Sequence, residues 1–245
     1  MRRITVKYAK KGMVLGASVY DSFGNLLLDS YIRLDDDCLK TMLSNGVGEI
    51  FLDDWRVADV PVQPLVSPEV EGKAAHALRK LMLDNQGKNN IADNNLEQIS
   101  RAINSMSQEL ALDSFGEASV TSITSEETYI YVQPTKTSSL CLLLGKRLGY
   151  TTSELTHLGI AALLKDVGYI AIPPETLRQP ELLTERELIK IRQHPSFGYE
   201  LLSQHNITSG EIANAVLQHH ERWNGSGYPY GLKKRRYRVL LKFYP

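Results

Sequence analysis

Hydrophobic residues follow two different patterns along this chain of 245 residues. In roughly the first fifty residues, short apolar runs are separated by glycine and asparagine, which is typical of short strands joined by turns. The charged and apolar stretch from Asp35 to Leu43 predicts a single helix between these strands. We therefore expect a small α+β domain over residues 1–58.

The pattern becomes helical from about residue 69. Segments 68–83 and 93–112 place apolar residues three and four positions apart, as amphipathic helices require, and together they predict a helical hairpin. His76 lies in the first helix and is interpreted as a surface or packing residue. Several prolines precede this helix, so residues 59–117 are expected to form a proline-containing linker followed by the hairpin.

Helix signals continue through most of the remaining chain. Serine- and threonine-rich starts, proline and glycine mark the boundaries, which predicts a helical bundle after the α+β domain. Residues 210–223 are expected to form the last clear helix. The boundary signals are Pro134 in a first helical turn, Gly149 at a helix end, capping boxes at Thr151–Glu154 and Thr184–Glu187, and a break at His194–Pro195.

Charge and cysteine content limit which binding partners and which cellular compartment we expect. Lys plus Arg and Asp plus Glu both number 28, so no basic field favours a nucleic-acid polymer or an anionic membrane as partner. Cys38 and Cys141 lie far apart, which disfavours a disulfide framework or a zinc–thiolate site. The longest apolar stretch, residues 140–145, is too short to span a membrane. We expect a cytoplasmic protein.

Three short segments carry candidate metal chemistry. They are "KDVG" at 165–168, "HPSFGYELL" at 194–202 and "HHERWNGSGYP" at 219–229. Imidazoles and a carboxylate are the ligand types that hold divalent cations for phosphate chemistry.

In this order, on a helical scaffold, the segments resemble the HD-GYP family of the HD metal-dependent phosphohydrolase superfamily. The resemblance covers roughly residues 118–232, and the N-terminal segment looks like the small domain that often precedes HD-GYP domains. It implies a helical bundle that holds two or three metal ions and hydrolyses cyclic di-GMP, a bacterial second messenger.

The resemblance assigns roles to a set of metal ligands and to a loop beside them. It implies metal ligands at Asp166, His194, His219 and His220, with Asp166 also as the residual catalytic residue. It implies that the loop bearing Gly227, Tyr228 and Pro229 forms the rim of the substrate site, where Trp223 and Tyr230 are candidate contacts for a ligand or a protein. A turn that closes the preceding helix is the alternative reading of this loop.

Other positions depart from the family pattern. Lys165 stands where the family has the histidine of the HD pair, and Tyr169 stands where it has a lysine. Gln133 and Tyr129 fall on the positions of a histidine and a glutamate ligand. Because a lysine ammonium has no lone pair, we expect Lys165 to form an ion pair with Asp166 instead of binding a metal.

The C-terminal segment differs from the family as well. A further family aspartate would lie beyond Pro245, so residues 118–245 are expected to form an HD-type fold that is truncated and incomplete at its C-terminus. An uncovered apolar face would favour a homodimer or another partner. The basic residues at 233–236 and 238 are interpreted as solvated, with contact to a phosphate as the alternative.

Three hypotheses for function remain open at this stage. The first is a degenerate HD-GYP protein of cyclic di-GMP signalling, catalytically impaired or inactive, that binds the nucleotide or a signalling protein. The second is a residual phosphodiesterase that uses the four retained ligands, and the third is a non-functional truncated product. The retained ligands would hold one divalent ion, such as iron or manganese, or none.

Overall fold

In a computed structural model, the N-terminal part of the chain contains short strands and the remainder is mostly helical. The residues that the structure describes are 1–21, 25–54, 56, 65–88, 90–110, 126–173, 176, 183–205 and 210–233, with side chains in 126–128 left out. The predicted boundaries near residues 58 and 117 lie outside the described residues, so the domain limits stay predictions.

The N-terminal unit is built from two small antiparallel strand pairs and one helix. Its described strands and α-helix are β1 (Arg2–Thr5), β2 (Val19–Tyr20), β3 (Leu26–Leu28), α1 (Asp36–Ser44) and β4 (Glu49–Leu52). Strand β1 pairs with β4, and β2 pairs with β3. The side chain of Asp35 caps α1 by accepting a hydrogen bond from the amide of Cys38, which confirms the helix expected in this segment.

The rest of the described chain is a bundle of helices. They are α2 (Pro68–Asp84), α3 (Asp93–Glu109), α4 (Glu126–Arg147), α5 (Thr152–Leu164), a 3₁₀ helix (Val167–Ala171), α6 (Glu185–Ile191), α7 (His194–Ser203) and α8 (Gly210–Gln218). The predicted hairpin is formed by α2 and α3, which pack against each other. Among the described helices, none is long and apolar enough to cross a membrane.

The capping signals in the sequence correspond to real helix ends. Both predicted capping boxes form, at the start of α5 and at the start of α6. After α4, Gly149 adopts a φ of +78°, a backbone conformation that favours glycine. These boundaries were predictable because each one is set by side chains within a few residues of it.

The predicted start of α4 at Pro134 was wrong. The described part of this helix runs from Glu126, so Pro134 lies inside it. Tyr131 and Val132, just before the proline, are buried in the bundle, and this burial favours extending the helix in the N-terminal direction despite the amide that proline lacks.

The predicted extent of the last helix was also wrong. Helix α8 ends at Gln218, and residues 219–233 form an irregular loop in place of the expected helix. Past this point the Glu221 amide donates to the carbonyl of Gln218 at 2.9 Å, which closes a tight turn after the helix. The paired histidines therefore lie just beyond a helix end.

Two separate hydrophobic cores stabilise the described residues. The smaller core lies in the N-terminal unit, around residues such as Leu15 and Met42. The larger core lies in the bundle, where α5 packs against α3, α4 and α8. A Cβ at Gly159 of α5 would lie 2.6 Å from Cγ2 of Ile103, so glycine permits the close approach of α5 to α3.

Candidate metal centre

Four predicted ligands meet in the helical bundle. Asp166 follows α5, His194 is the first residue of α7, and His219 and His220 follow α8. One ligand atom from each of the four residues lies within 4.8 Å of the others. His194 is fully buried, and the other three are partly buried. We call these four residues the Asp166 cluster.

Two glycines allow the elements that carry the cluster to approach one another. A Cβ at Gly168, in the 3₁₀ helix, would lie 1.9 Å from the carbonyl oxygen of His194. A Cβ at Gly198, in α7, would lie 2.8 Å from Cγ1 of Val216 in α8. The backbone next to Asp166 can therefore contact α7, and α7 can contact α8, only because these positions lack side chains.

The ring orientations of two histidines follow from their backbone contacts. Nδ1 of His194 lies 2.7 Å from the carbonyl of Ile191, and Nδ1 of His219 lies 2.6 Å from the carbonyl of Val216. A carbonyl can only accept, so both Nδ1 atoms carry the proton. In the neutral rings the Nε2 lone pairs are then free for a ligand.

These lone pairs converge on one carboxylate oxygen. Nε2 of His194 and Nε2 of His219 are 3.2 Å apart, and Oδ1 of Asp166 lies 3.4 Å and 3.5 Å from them. Two neutral Nε2 atoms cannot hydrogen bond to each other, whereas a cation between them satisfies both lone pairs and the carboxylate. The donor set therefore fits a divalent cation with nitrogen and oxygen ligands.

Asp166 is held in its ionised form by its neighbours. Burial alone would raise the pKa of this carboxyl group, but the charge of Lys165 and the hydrogen bond from its ammonium lower it below its usual range. The ammonium of Lys165 donates to Oδ2 of Asp166, so the expected ion pair forms. The carboxylate of the cluster is therefore paired with the ammonium of a residue outside it.

His220 is kept neutral by its surroundings. Burial, reinforced by the neighbouring His219 and His194, lowers the pKa of His220 to about 4. Its ring stacks on Tyr228, with centroids 4.5 Å apart and planes 17° apart. A neutral imidazole is the form that can act as a metal ligand.

Tyr169, at the position where the resemblance implies a lysine, lies against the cluster without adding a charge. Its ring centroid is 4.4 Å from that of His194. Burial and the nearby Asp166 raise the pKa of the Tyr169 phenol, so the hydroxyl stays protonated near neutral pH. Tyr129 also raises the pKa of the Tyr169 phenol, which places Tyr129 near the site, although this residue is 58% exposed.

The loop after the paired histidines is fixed by a residue that sequence reasoning missed. The carboxylate of Glu221 accepts hydrogen bonds from the amides of Tyr230 at 2.7 Å and Leu232 at 2.8 Å. A Cβ at Gly227 would lie 2.4 Å from the carbonyl oxygen of His220, so this position needs glycine. The only sequence signal for the role of Glu221 is a carboxylate just before a glycine-rich turn.

The predicted substrate-rim residues occupy different environments in this loop. Tyr228 and Pro229 are half-buried and are joined by a cis peptide bond. Trp223 and Tyr230, the candidate contact residues, are exposed. Arg192, a second residue that sequence reasoning missed, places its guanidinium carbon 5.7 Å from the ring centroid of Tyr228.

Other candidate residues are placed outside the cluster or beyond the described chain. His76 is exposed on α2, in agreement with its interpretation as a surface residue. Gln133 is partly buried in α4. Of the basic C-terminal residues, only Lys233 is described, and it is exposed; Lys234, Arg235, Arg236 and Arg238 lie outside the described residues.

Comparison with known proteins supports the resemblance seen in the motifs. The model of a family described as "HD domain" matches residues 89–236. A cyclic di-GMP phosphodiesterase of Thermotoga maritima is 40% identical over 93 residues, covering 38% of this chain and 25% of that protein. The cyclic di-GMP phosphodiesterase response regulator RpfG of Xanthomonas campestris pv. campestris is 43% identical over 91 residues, covering 37% of this chain and 24% of that protein.

A solved structure extends the likeness of fold over most of the chain. Bd1817, an HDG"Y"P protein from Bdellovibrio bacteriovorus, superposes with a TM-score of 0.58 at 16% sequence identity and covers 95% of this chain and 81% of that one. By contrast, the chain spans only about a quarter of the length of the two curated relatives described above.

Proposed function

Because this chain belongs to the HD domain family, and within it to the HD-GYP group, we propose that it binds a cyclic dinucleotide of the cyclic di-GMP kind with little or no hydrolysis. One observation carries the proposal. The Asp166 cluster brings four ligand atoms within 4.8 Å, but Lys165 binds the carboxylate of Asp166 where the family would have a histidine. The cluster can hold a cation, but fewer metal ligands surround it than the family pattern implies.

The residues of the cluster would hold a divalent ion through Oδ1 of Asp166, Nε2 of His194, Nε2 of His219 and one ring nitrogen of His220. When bound, such an ion supplies positive charge to phosphate oxygens. The backbone carbonyls of Ile191 and Val216 orient two of the imidazoles and so reduce the reorganisation that binding requires.

The replaced positions argue against efficient hydrolysis. Two-metal phosphate hydrolysis uses ions about 3.5–4 Å apart, each with its own ligands. Tyr129 and Gln133 are poor ligands for a hard or borderline cation, and an ammonium at Lys165 repels one. Tyr169 offers a neutral hydroxyl in place of a cationic side chain. These residues support binding more than turnover.

The loop beside the cluster is suited to a nucleotide. Tyr228 is backed on one side by His220, and Arg192 lies within cation–π distance of the Tyr228 ring. Trp223 and Tyr230 are exposed nearby in sequence, with 48% and 67% of their surface accessible. A cyclic dinucleotide carries phosphates for the cation and Arg192, and planar bases that stack on exposed aromatic rings.

Calorimetry with cyclic di-GMP, combined with a product assay, tests this proposal. In the presence of Mn²⁺, we expect one saturable site per chain and no linear dinucleotide above the level of His219→Ala. His219→Ala should also lose the metal-dependent part of the binding. The proposal is wrong if the native protein does not bind the dinucleotide, or if it turns it over and His219→Ala does not.

Residual hydrolysis is the second candidate, and the intact geometry of the Asp166 cluster favours it. This candidate predicts slow, Mn²⁺-dependent appearance of linear dinucleotide that disappears in both His194→Ala and His219→Ala. The first candidate, binding without hydrolysis, also includes a role as a protein-interaction module. It predicts a signalling partner whose retention depends on Tyr228 and is lost in Tyr228→Ala.

A further inference from the structure

The two oxygens of the Asp166 carboxylate have different neighbours. Oδ1 faces the imidazoles, at 3.4 Å from Nε2 of His194 and 3.5 Å from Nε2 of His219. Oδ2 accepts a hydrogen bond from the ammonium of Lys165. A carboxylate that bridges two metal ions with one oxygen on each needs both of its oxygens free, and here one of them already binds a cation.

The Lys165–Asp166 pair is also sheltered from water. Lys165 and Asp166 have side chains that are 20% and 15% exposed. Breaking such a pair leaves a poorly solvated charge, which costs much more than breaking an exposed ion pair. A second divalent ion could reach Oδ2 only by displacing the ammonium, and it would also meet the repulsion of that charge.

We infer that the ammonium of Lys165 occupies the position of a second cation and limits the Asp166 cluster to one divalent ion, bound through Oδ1 and the three imidazoles. This inference rests on the metal-binding part of the proposed function. It assigns Lys165 as the residue that determines the number of metal ions, with an effect on cation affinity as well as on stoichiometry.

The charge balance gives the direction of the effect on affinity. With Lys165 present, the charges of the carboxylate and the ammonium cancel, so a divalent ion enters surroundings with no net charge. Removing the ammonium takes away a charge of the same sign as the ion and leaves the charge of the carboxylate uncompensated. This change favours the bound cation, because electrostatic interactions are stronger in a partly buried site than in water.

Titration of the metal-free protein with Mn²⁺ in the absence of nucleotide tests the inference. We expect one Mn²⁺ per native chain, with the electron paramagnetic resonance spectrum of an isolated ion. Lys165→Met, which has a side chain of similar length and a thioether that is a poor ligand for Mn²⁺, should bind the first ion at least tenfold more tightly. Lys80→Met, on the exposed surface of α2, should match the native protein.

A charge-preserving variant separates this effect from a change in folding. Lys165→Arg should bind one Mn²⁺ with an affinity within threefold of the native value, and circular dichroism identifies any variant that fails to fold. If Lys165→Met is unfolded, Lys165→Gln takes its place, with the same expected direction.

Three results would overturn the inference: two spin-coupled ions in the native protein, no ion in the native protein, or equal affinities in the native protein and the neutral variants. A protein that binds one Mn²⁺ but no dinucleotide would refute the proposed function and leave the role of Lys165 intact.

Discussion

The ring of Tyr228 stacks on the ring of His220, with centroids 4.5 Å apart and planes 17° apart. The contact joins the Asp166 cluster to the loop that the family resemblance assigns to the substrate rim. His220 also lies edge-on to His194, with centroids 5.1 Å apart. The His220 ring therefore contacts both the buried His194 and the loop residue Tyr228. The position of this ring should depend on both neighbours.

Replacement of Tyr228 tests that dependence. Tyr228→Ala removes the ring that supports His220, and we expect about tenfold weaker Mn²⁺ binding, which is typical of lost support for a metal-ligating histidine. Tyr228→Phe keeps the stacked ring and should stay within twofold of the native protein. Competition calorimetry with a chelator measures both affinities. Equal losses in the two variants would point to the hydroxyl group instead of the stack.

Gly168 is expected to be intolerant of any side chain. In Gly168→Ala, the new Cβ would overlap the carbonyl of His194, so α7 must move away from the 3₁₀ helix. Overpacking of this kind typically costs about 1–3 kcal/mol of the free energy of unfolding. Gly210→Ala, where nothing lies within 4 Å of a Cβ, is the matched control and should be close to neutral. Urea unfolding compares the two, and equal midpoints would contradict the close contact.

Glu221 should control the opening of the loop. Glu221→Gln has one acceptor oxygen where the carboxylate has two, so one of the amide contacts to Tyr230 or Leu232 is lost. A hydrogen bond to a charged group contributes about 1.5–3 kcal/mol. We therefore expect at least tenfold faster hydrogen exchange at these amides, measured by mass spectrometry. Glu200→Gln, on the exposed side of α7, should leave their exchange unchanged.

Asp54 should make the stability of the N-terminal unit depend on pH. Its hydrogen bonds with Arg56 and the charge of Arg2 lower the pKa of this carboxyl group well below its usual value, although burial opposes the shift. A lowered pKa in the folded state stabilises the protein above the unfolded value of about 3.9, and this contribution is lost as the pH falls further.

Asp54→Asn should therefore be less stable than the native protein at pH 7, and the difference should shrink as the pH falls from about 4 towards 2. Urea unfolding at pH 7 and pH 3 measures it, with Asp53→Asn as the exposed control. A difference that does not change with pH would mean that the charge of Asp54 does not stabilise the fold.

Local features of the fold were predictable from sequence because local chemistry sets them. The capping boxes at Thr151 and Thr184 and the stop at Gly149 all correspond to helix ends. The start of α4 was not predictable from Pro134, because burial of Tyr131 and Val132 depends on helices distant in sequence. The end of α8 was missed because residues 219–223 contain neither glycine nor proline, which are the usual signals of a helix end.

In the candidate site as well, the residue types were predictable from sequence, whereas the contacts between distant segments were not. Residue types and order were enough to group Asp166 with His194, His219 and His220, and the structure brings the four together. Their roles as ligands stay predictions. Sequence alone could not show that Oδ1 and Oδ2 of Asp166 have different neighbours, because this depends on how the 3₁₀ helix packs against α7. The contact between Arg192 and the ring of Tyr228 was not predictable either, because the two residues are distant in sequence.

The presence of two separate hydrophobic cores has a consequence for thermal unfolding. The N-terminal core contains few buried side chains, and the Asp166 cluster lies wholly within the larger bundle. Domains with separate cores need not melt in one cooperative transition. A calorimetric scan would then contain two heat-absorption peaks, and the first would arise from the N-terminal unit. The cation-binding geometry would survive that first transition, so the heat tolerance of the site would be set by the bundle alone.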